Sequence, residues 1–113
     1  MLAKANRLTK KKDFEKTFKQ GGSSYGKLLG IKAVKNDLES NRFGLIISNK
    51  VSKKAVERNK IRRQIREILK EQLAQLKPGF DLIIVTLPEI LNKDSQEIKQ
   101  NILYNFKRLR LYK

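Results

Sequence analysis

The fold is predicted most directly by the stretch KVSKKAVERNKIRRQIRE, residues 50–67. Nine of the chain's 27 basic residues lie between residues 50 and 70, where only two acidic residues oppose them. Apolar residues recur through and beyond this stretch at helical spacing: Ile61, Ile65, Ile68, Leu69, Leu73 and Leu76. A helix with such a stripe can pack on a core while it presents cations on a fixed surface. The stretch therefore predicts a folded basic helix whose partner is a polyanion.

Composition limits the class of protein. With 113 residues and 39% apolar content, the chain is expected to form one domain spanning residues 1–113. A net charge of +16 opposes folding, so we interpret it as serving nucleic-acid binding, and we expect anions to stabilise the free protein. Residues 71–98 alone have a net charge of −3, and we expect them to face away from the polyanion.

Several classes of site are disfavoured by the residues that the chain lacks. Cysteine and histidine are absent, which removes disulfides and the commonest zinc ligands. We expect no catalytic residues, no metal site and no cofactor bound by the protein. No apolar run approaches the roughly 20 residues of a membrane span, and the first nine residues lack a secretory core. A cytoplasmic protein with neither a membrane nor a small-molecule partner is predicted.

Periodicity predicts an α+β fold, an α-β-β-α-β-α sandwich of a small sheet with helices. We expect helices over about 10–20, 52–76 and 93–109, and strands over 28–35, 42–48 and 80–87. Predicted N-caps are Thr9 and Ser52, with Val51 and Val56 as a hydrophobic staple. Asp94 or Ser95 lies near the start of the last helix, which suits the helix dipole.

Connections and strand composition predict the arrangement of the sheet. The small polar residues 21–25 suggest a loop. The polar segment 36–41 predicts a hairpin turn, which would make the first two strands antiparallel neighbours. The nearly continuous apolar strand 80–87 should be central and covered on both faces.

The basic residues of the long helix are expected to border its apolar stripe. Arg58, Arg62, Arg66 and Lys70 repeat every four residues over nearly 20 Å, from a rise of about 1.5 Å per residue. Such a row can meet successive phosphates, and arginine can donate to two oxygens of one phosphate. Asn59 lies uncharged among these cations, which predicts a directional hydrogen bond. A solvated helix face is the general alternative, and the excess of cations favours nucleic-acid contact.

The aromatic residues permit two interpretations. Phe14 and Phe18 share one face of the first helix, and this spacing alone favours core packing. Exposed rings beside lysines would instead form a stacking platform for single-stranded bases. Tyr25 and Tyr104 are interpreted as a loop residue and a core-edge residue.

Residues 53–67, with the core Arg58-Asn59-Lys60-Ile61-Arg62-Arg63 followed by Arg66, resemble the RNR signature of the bacterial ribonuclease P protein subunit. Three flanking patterns also resemble that family in the expected order: Arg7-Leu8 with Asp13-Phe14, Phe18 and Gly21; Arg42-Phe43-Gly44-Leu45 with Lys50; and Phe80-Asp81-Leu82-Ile83-Ile84-Val85. The resemblance covers most of the chain. It implies a left-handed βαβ crossover around the signature helix, whereas the general rule favours the right-handed form.

The resemblance also implies a function. The family's protein binds a large catalytic RNA, ribonuclease P RNA, and the holoenzyme matures the 5′ end of precursor tRNA. The RNA performs the chemistry with Mg²⁺, while the protein holds the RNA and the 5′ leader. The implied RNA-binding residues are Lys53, Arg58, Asn59, Lys60, Arg62, Arg63 and Arg66. The implied leader-cleft residues are Phe14, Phe18 and Lys32. Family members can place an aromatic residue where Lys32 stands, so leader binding is expected to depend more on charge.

Two other classes of function fit the sequence less well. A protein-only nuclease would need clustered carboxylates or histidines around metal ions, and the 11 acidic residues form no tight motif. Another RNA-binding protein, such as a ribosomal protein, is the stronger alternative. A DNA-binding helical module is disfavoured because strands flank the one long basic helix.

Overall fold

The computed structural model describes residues 2–113, which form three α-helices and four β-strands. They are α1 Lys11–Gln20, β1 Gly22–Tyr25, β2 Leu29–Lys35, β3 Arg42–Ile46, α2 Ala55–Gln72, β4 Phe80–Thr86 and α3 Ser95–Arg108. The predicted α+β class and all six predicted elements are confirmed. The prediction of a loop over 21–25 is wrong, because residues 22–25 form β1 and pair antiparallel with β2. The small polar residues have little intrinsic strand preference, and the edge of β2 supplies the pairing instead.

The four strands form one sheet in the order β1-β2-β4-β3. β4 lies at the centre, antiparallel to β2 and parallel to β3, which confirms its predicted central place. β2 and β3 run antiparallel as predicted, but the prediction that a hairpin makes them neighbours is wrong, because β4 lies between them. β3, α2 and β4 therefore form a parallel crossover between neighbouring strands.

The loop over 36–41 explains why no hairpin forms. Its side chains and backbone bind the turn that leads into β4. The backbone N–H of Asn36 donates to the carbonyl of Gly79 at 2.9 Å. The buried Asn41 amide donates to the carbonyl of Lys77 at 2.9 Å and accepts from the N–H of Phe80 at 2.8 Å. Gly79 has a φ of 88°, a conformation that favours glycine.

Helices α2 and α3 cover one face of the sheet and enclose the core. The predicted stripe of α2 is confirmed as the buried side of the helix, since Ile61, Ile65, Ile68 and Leu69 are at most 4% exposed. They pack in one cluster with residues from β2, β4 and α3: Leu29, Ile31, Leu82, Ile84, Ile98, Ile102 and Phe106. Burial of these side chains, worth about 1.5–3 kcal/mol each, fixes α2 on the sheet.

Helix α1 packs on the opposite face of the sheet. The Phe14 ring lies directly on Gly44 of β3, where any Cβ would overlap the ring. Arg42 of β3 donates two hydrogen bonds to the buried Asp81 of β4, at 2.8 and 2.7 Å. The same guanidinium lies 3.4 Å from the Asp13 carboxylate of α1. The hydrogen bonds that Arg42 donates to Asp81 raise the pKa of Arg42. This ion-pair network ties α1 to the sheet.

The beginnings of α1 and α3 differ in how well they were predicted. The Thr9 N-cap is wrong, because Lys10 occupies that position and makes no side-chain cap bond. Asp94, expected only to lie near the start of α3, is its N-cap, and its carboxylate accepts from the Glu97 N–H at 2.8 Å.

The beginning of α2 also departs from prediction. Ser52 is not the N-cap, because the helix begins at Ala55, three residues later. The Ser52 hydroxyl instead accepts from the Lys54 N–H at 3.1 Å and donates to the Glu57 carboxylate at 2.5 Å. The Val51–Val56 staple is wrong as well, since Val51 is buried while Val56 is 79% exposed. The later start of α2 turns Val56 away from the core.

Candidate nucleic-acid interface

The basic flank of α2 contains Arg62 and Arg66, which are both half-buried beside the apolar stripe. Their position follows from the helical period, which places residues 62 and 66 next to Ile65 and Leu69 on the helix surface. Asn59 precedes Arg62 by less than one turn, and its side-chain oxygen accepts from Arg62 Nη1 at 2.5 Å. The directional hydrogen bond predicted for Asn59 is thus made within the protein. It holds the Arg62 guanidinium in one orientation.

A depression of about 150 Å³ lies at the β3 edge of the sheet and joins α1 to α2. We call it the edge depression, and its lining residues are Leu2, Arg7, Leu8, Thr9, Phe14, Phe43, Gly44, Leu45, Arg62 and Arg66. Arg7 reaches it because the N-terminal segment runs beside β3, with the Leu8 N–H donating to the Phe43 carbonyl at 2.9 Å. The depression therefore places two phenylalanine rings, of which Phe43 is buried, and three guanidinium groups on one continuous surface.

The charges of the edge depression are of one sign. None of its lining residues is acidic. Burial lowers the pKa of Arg66, and the positive charges of Arg62 and Arg7 lower it further. Two hydrogen bonds to the Leu2 carbonyl, at 3.1 and 2.9 Å, fix the Arg7 guanidinium. Since desolvated like charges repel, a bound phosphate would relieve an unfavourable interaction that exists in the free protein.

Arg7 was not among the predicted RNA-binding residues. A single arginine before the first helix has no pattern of its own, and it appeared only in a flanking pattern of the family resemblance. Its place beside Arg62 and Arg66 depends on the bridge between Arg7 and Phe43, which only the folded chain forms.

The other predicted basic residues are distributed differently. Arg58 turns back toward the loop before α2, where its Nη1 donates to the Ser52 carbonyl at 2.9 Å. Lys53 and Arg63 are exposed. Lys60 lines a separate depression on the other flank of α2. The structure therefore brings Arg62 and Arg66 together, and it leaves Lys60 outside that group.

The open part of the sheet face next to α1 holds the other predicted cleft residues. Phe18 is 39% exposed, and the Lys32 ammonium of β2 lies 5.7 Å from the centre of its ring. Phe14 is half-buried over Gly44 on the same face. The three predicted cleft residues thus lie along one side of the sheet, from β3 to β2.

Both tyrosine interpretations are wrong. Tyr25 lies in strand β1 and not in a loop, and its ring covers Gly30 of β2. Tyr104 is exposed on α3, where the Arg108 guanidinium lies 5.6 Å from the centre of its ring.

A sequence model of the family described as Ribonuclease P matches residues 2–110. The chain belongs to the ribonuclease P protein family. It is 42% identical to the ribonuclease P protein component of Cyanothece sp., over 90% of each chain. The ribonuclease P protein component of Clostridium botulinum is 33% identical, with 96% of this chain and 98% of the relative covered. As a ribonuclease P protein component, the chain has an RNA partner, and the catalytic chemistry belongs to the RNA.

Solved ribonuclease P proteins share the fold. A Staphylococcus aureus ribonuclease P protein mutant with defective mRNA degradation activity matches with a TM-score of 0.90 and 26% identity, over 96% of this chain and 92% of that one. The Thermotoga maritima ribonuclease P protein matches with a TM-score of 0.82 and 27% identity, over 90% and 96% of the two chains. The architecture described above is therefore the one found in solved ribonuclease P proteins.

Two further properties concern only residues 2–113. Among them, no three histidine, cysteine or acidic side chains are grouped so that they could hold a metal ion. Within the same residues, no helix is both long and apolar enough to cross a membrane.

Proposed function

We propose that this protein binds ribonuclease P RNA through the basic flank of α2 and the edge depression, and binds the 5′ leader of precursor tRNA across the sheet face next to α1. In this proposal the protein positions the two RNAs in the cytoplasm. The RNA subunit cleaves the precursor with Mg²⁺ and leaves the mature 5′ end. The protein itself binds no cofactor.

The observation that carries the proposal is the continuity of the two surfaces at the edge depression. Arg62 and Arg66 of α2 and Phe14 of α1 line the same depression. Guanidinium groups suit the phosphates of a folded RNA, and an aromatic ring suits an unpaired base. An RNA held at α2 and a single strand that crosses the sheet would therefore meet at this point.

The dimensions of the sheet support a path for a single strand. From β3 to β1 the sheet spans about 14 Å, at roughly 4.8 Å between neighbouring strands. Phe14 lies above β3, and Phe18 with Lys32 lies above β2, so stacking and positive charge alternate along this path. A leader of several nucleotides is long enough to cross it.

A reconstitution assay tests this function. Precursor tRNA cleavage is measured with protein alone, with a bacterial ribonuclease P RNA alone, and with both, over a range of Mg²⁺ concentrations. We expect no cleavage by the protein alone and a lower Mg²⁺ requirement when both are present. We also expect the holoenzyme to bind precursor tRNA more tightly than mature tRNA, because only the precursor has a leader.

The variant Phe18→Leu tests the leader path separately from the effect of the protein on the RNA. It keeps an apolar side chain beside Lys32 but removes the aromatic ring, so it should reduce precursor affinity while the Mg²⁺ requirement stays that of the wild type. Cleavage by protein alone, or an RNA reaction that the protein does not change, would disprove the proposed function.

A further inference from the structure

Tyr25 occupies a position on the sheet that core packing does not require. Its ring lies against the backbone of Gly30, and a Cβ at residue 30 would overlap that ring. The side chain nevertheless remains 46% exposed. A glycine in the interior of β2 weakens the strand but admits the ring closely. The pair therefore holds a flat aromatic group on the sheet while much of it stays open to solvent.

The strand register places Tyr25 beside the proposed leader path. Tyr25 pairs with Gly30, and Ser23 pairs with Lys32, so Tyr25 and Lys32 are diagonal neighbours on the same face. Such neighbours have Cα atoms about 7–8 Å apart. The Lys32 ammonium also lies 5.7 Å from the Phe18 ring. One cation is thus flanked by an aromatic ring from α1 and another from β1.

A purely structural role for Tyr25 explains only part of this arrangement. Aromatic side chains can cover a glycine on a neighbouring strand and so stabilise a sheet edge. That role uses the side of the ring that faces Gly30. It leaves unexplained an exposed ring beside a lysine, on the same face as Phe14 and Phe18. Exposed rings beside cations on an open sheet are the features of a base-stacking platform.

We propose that Tyr25 is a stacking site for an unpaired base of the leader at the β1 edge, with Lys32 contacting the adjoining phosphate. This inference rests on the proposed function and names a further residue that binds the substrate. It also changes the interpretation of Lys32, because β1 supplies the aromatic group of this part of the sheet and β2 supplies the cation. Leader binding then combines stacking with charge.

The test uses the reconstituted holoenzyme with Tyr25→Leu and Tyr25→Phe, and precursor tRNAs whose leaders increase by one nucleotide at a time. Leucine still covers Gly30 but cannot stack, whereas phenylalanine does both. We expect Tyr25→Leu to weaken binding by about 5-fold or more once the leader is long enough to reach β1, and to leave shorter leaders unaffected. The Tyr25→Phe variant should bind as tightly as the wild type at every leader length.

Tyr104→Leu is the matched control, because Tyr104 is 49% exposed and its ring already contacts Arg108. We expect it to leave leader binding unchanged. Tyr25 and Tyr104 both line a depression at the turn between β1 and β2. An equal loss in the two leucine variants would place the stacking site in that depression and overturn the assignment to the sheet face.

The remaining outcomes separate the inference from the proposed function. If the wild-type protein lowers the Mg²⁺ requirement of the RNA but Tyr25→Leu shows no loss that depends on leader length, the inference about Tyr25 is wrong and the proposed function stands. If the wild-type protein fails to act on the RNA at all, the proposed function is wrong and the inference falls with it.

Discussion

Replacing Arg66 with methionine should weaken RNA binding without weakening the fold. The methionine retains much of the apolar stem that packs beside the stripe of α2 but removes the guanidinium. If Arg66 contacts one phosphate, its loss should reduce the slope of log K against log salt by about 0.7–0.9. A charge-assisted hydrogen bond contributes about 1.5–3 kcal/mol, so affinity near physiological salt should fall roughly 10- to 150-fold.

The stability of the free protein should change in the opposite direction, or not at all. The pKa of Arg66 is lowered in the folded state by burial and by Arg62 and Arg7. A base whose pKa is lower in the folded state than in the unfolded state opposes folding while it is protonated, and arginine is protonated at neutral pH. Removing this charge should leave the free energy of unfolding equal to or above that of the wild type, as measured by urea denaturation.

Lys60→Met is the matched control for Arg66→Met. It removes one positive charge from the same helix, but from the flank that does not line the edge depression. Titration of ribonuclease P RNA at several salt concentrations should show a clearly smaller change in slope for this variant. Equal changes in slope for the two variants would mean that net charge governs binding and would refute the local argument. A large loss of stability in Arg66→Met would show that the residue is structural.

Three further changes test other parts of the structure. Arg42→Met leaves the buried Asp81 carboxylate without its ion pair, so urea denaturation should show a loss of about 3–5 kcal/mol, and adding Asp81→Asn should recover part of it. Gly44→Ala displaces the Phe14 ring, so precursor tRNA should bind more weakly while mature tRNA binds the holoenzyme as before. Desolvation raises the pKa of Tyr112, so its contribution to stability is complete below about pH 10 and is lost as the pH rises through the folded-state pKa; unfolding of Tyr112→Phe should lack this component of the alkaline pH dependence, and an unchanged profile would exclude it.

The periodic elements of this protein could be predicted from its sequence because each has a strong local pattern. The stripe from Ile61 to Leu69 is spaced for a helix, and all four of its buried residues face the core as expected. Strand β4 is apolar at nearly every position, which requires cover on both faces. The basic flank at Arg62 and Arg66 follows from the same helical period.

Strand pairing and the composition of the site depended on contacts between distant residues. A short connection between β2 and β3 suggested a hairpin, yet Asn41 binds the entry of β4 across 36 and 39 positions of sequence. Strand β1 forms from residues of low strand preference because β2 offers a free edge. Arg7 joins the edge depression, and Tyr25 the sheet face, only through such tertiary pairing. Local patterns contain no information about either.

The central position of β4 has a consequence for folding during synthesis. β4 is the last strand of the described sheet in sequence, yet it provides the hydrogen bonds that join β2 to β3. While β4 is still inside the ribosome, the emerged part of the nascent chain therefore has two separate parts of a sheet. The apolar stripe of α2 then has no complete surface on which to pack. Such long-range pairing is slow to form compared with a helix. The most basic segment of the protein is thus synthesised before the scaffold that orients it, so its arginines can attract RNA before they can position it.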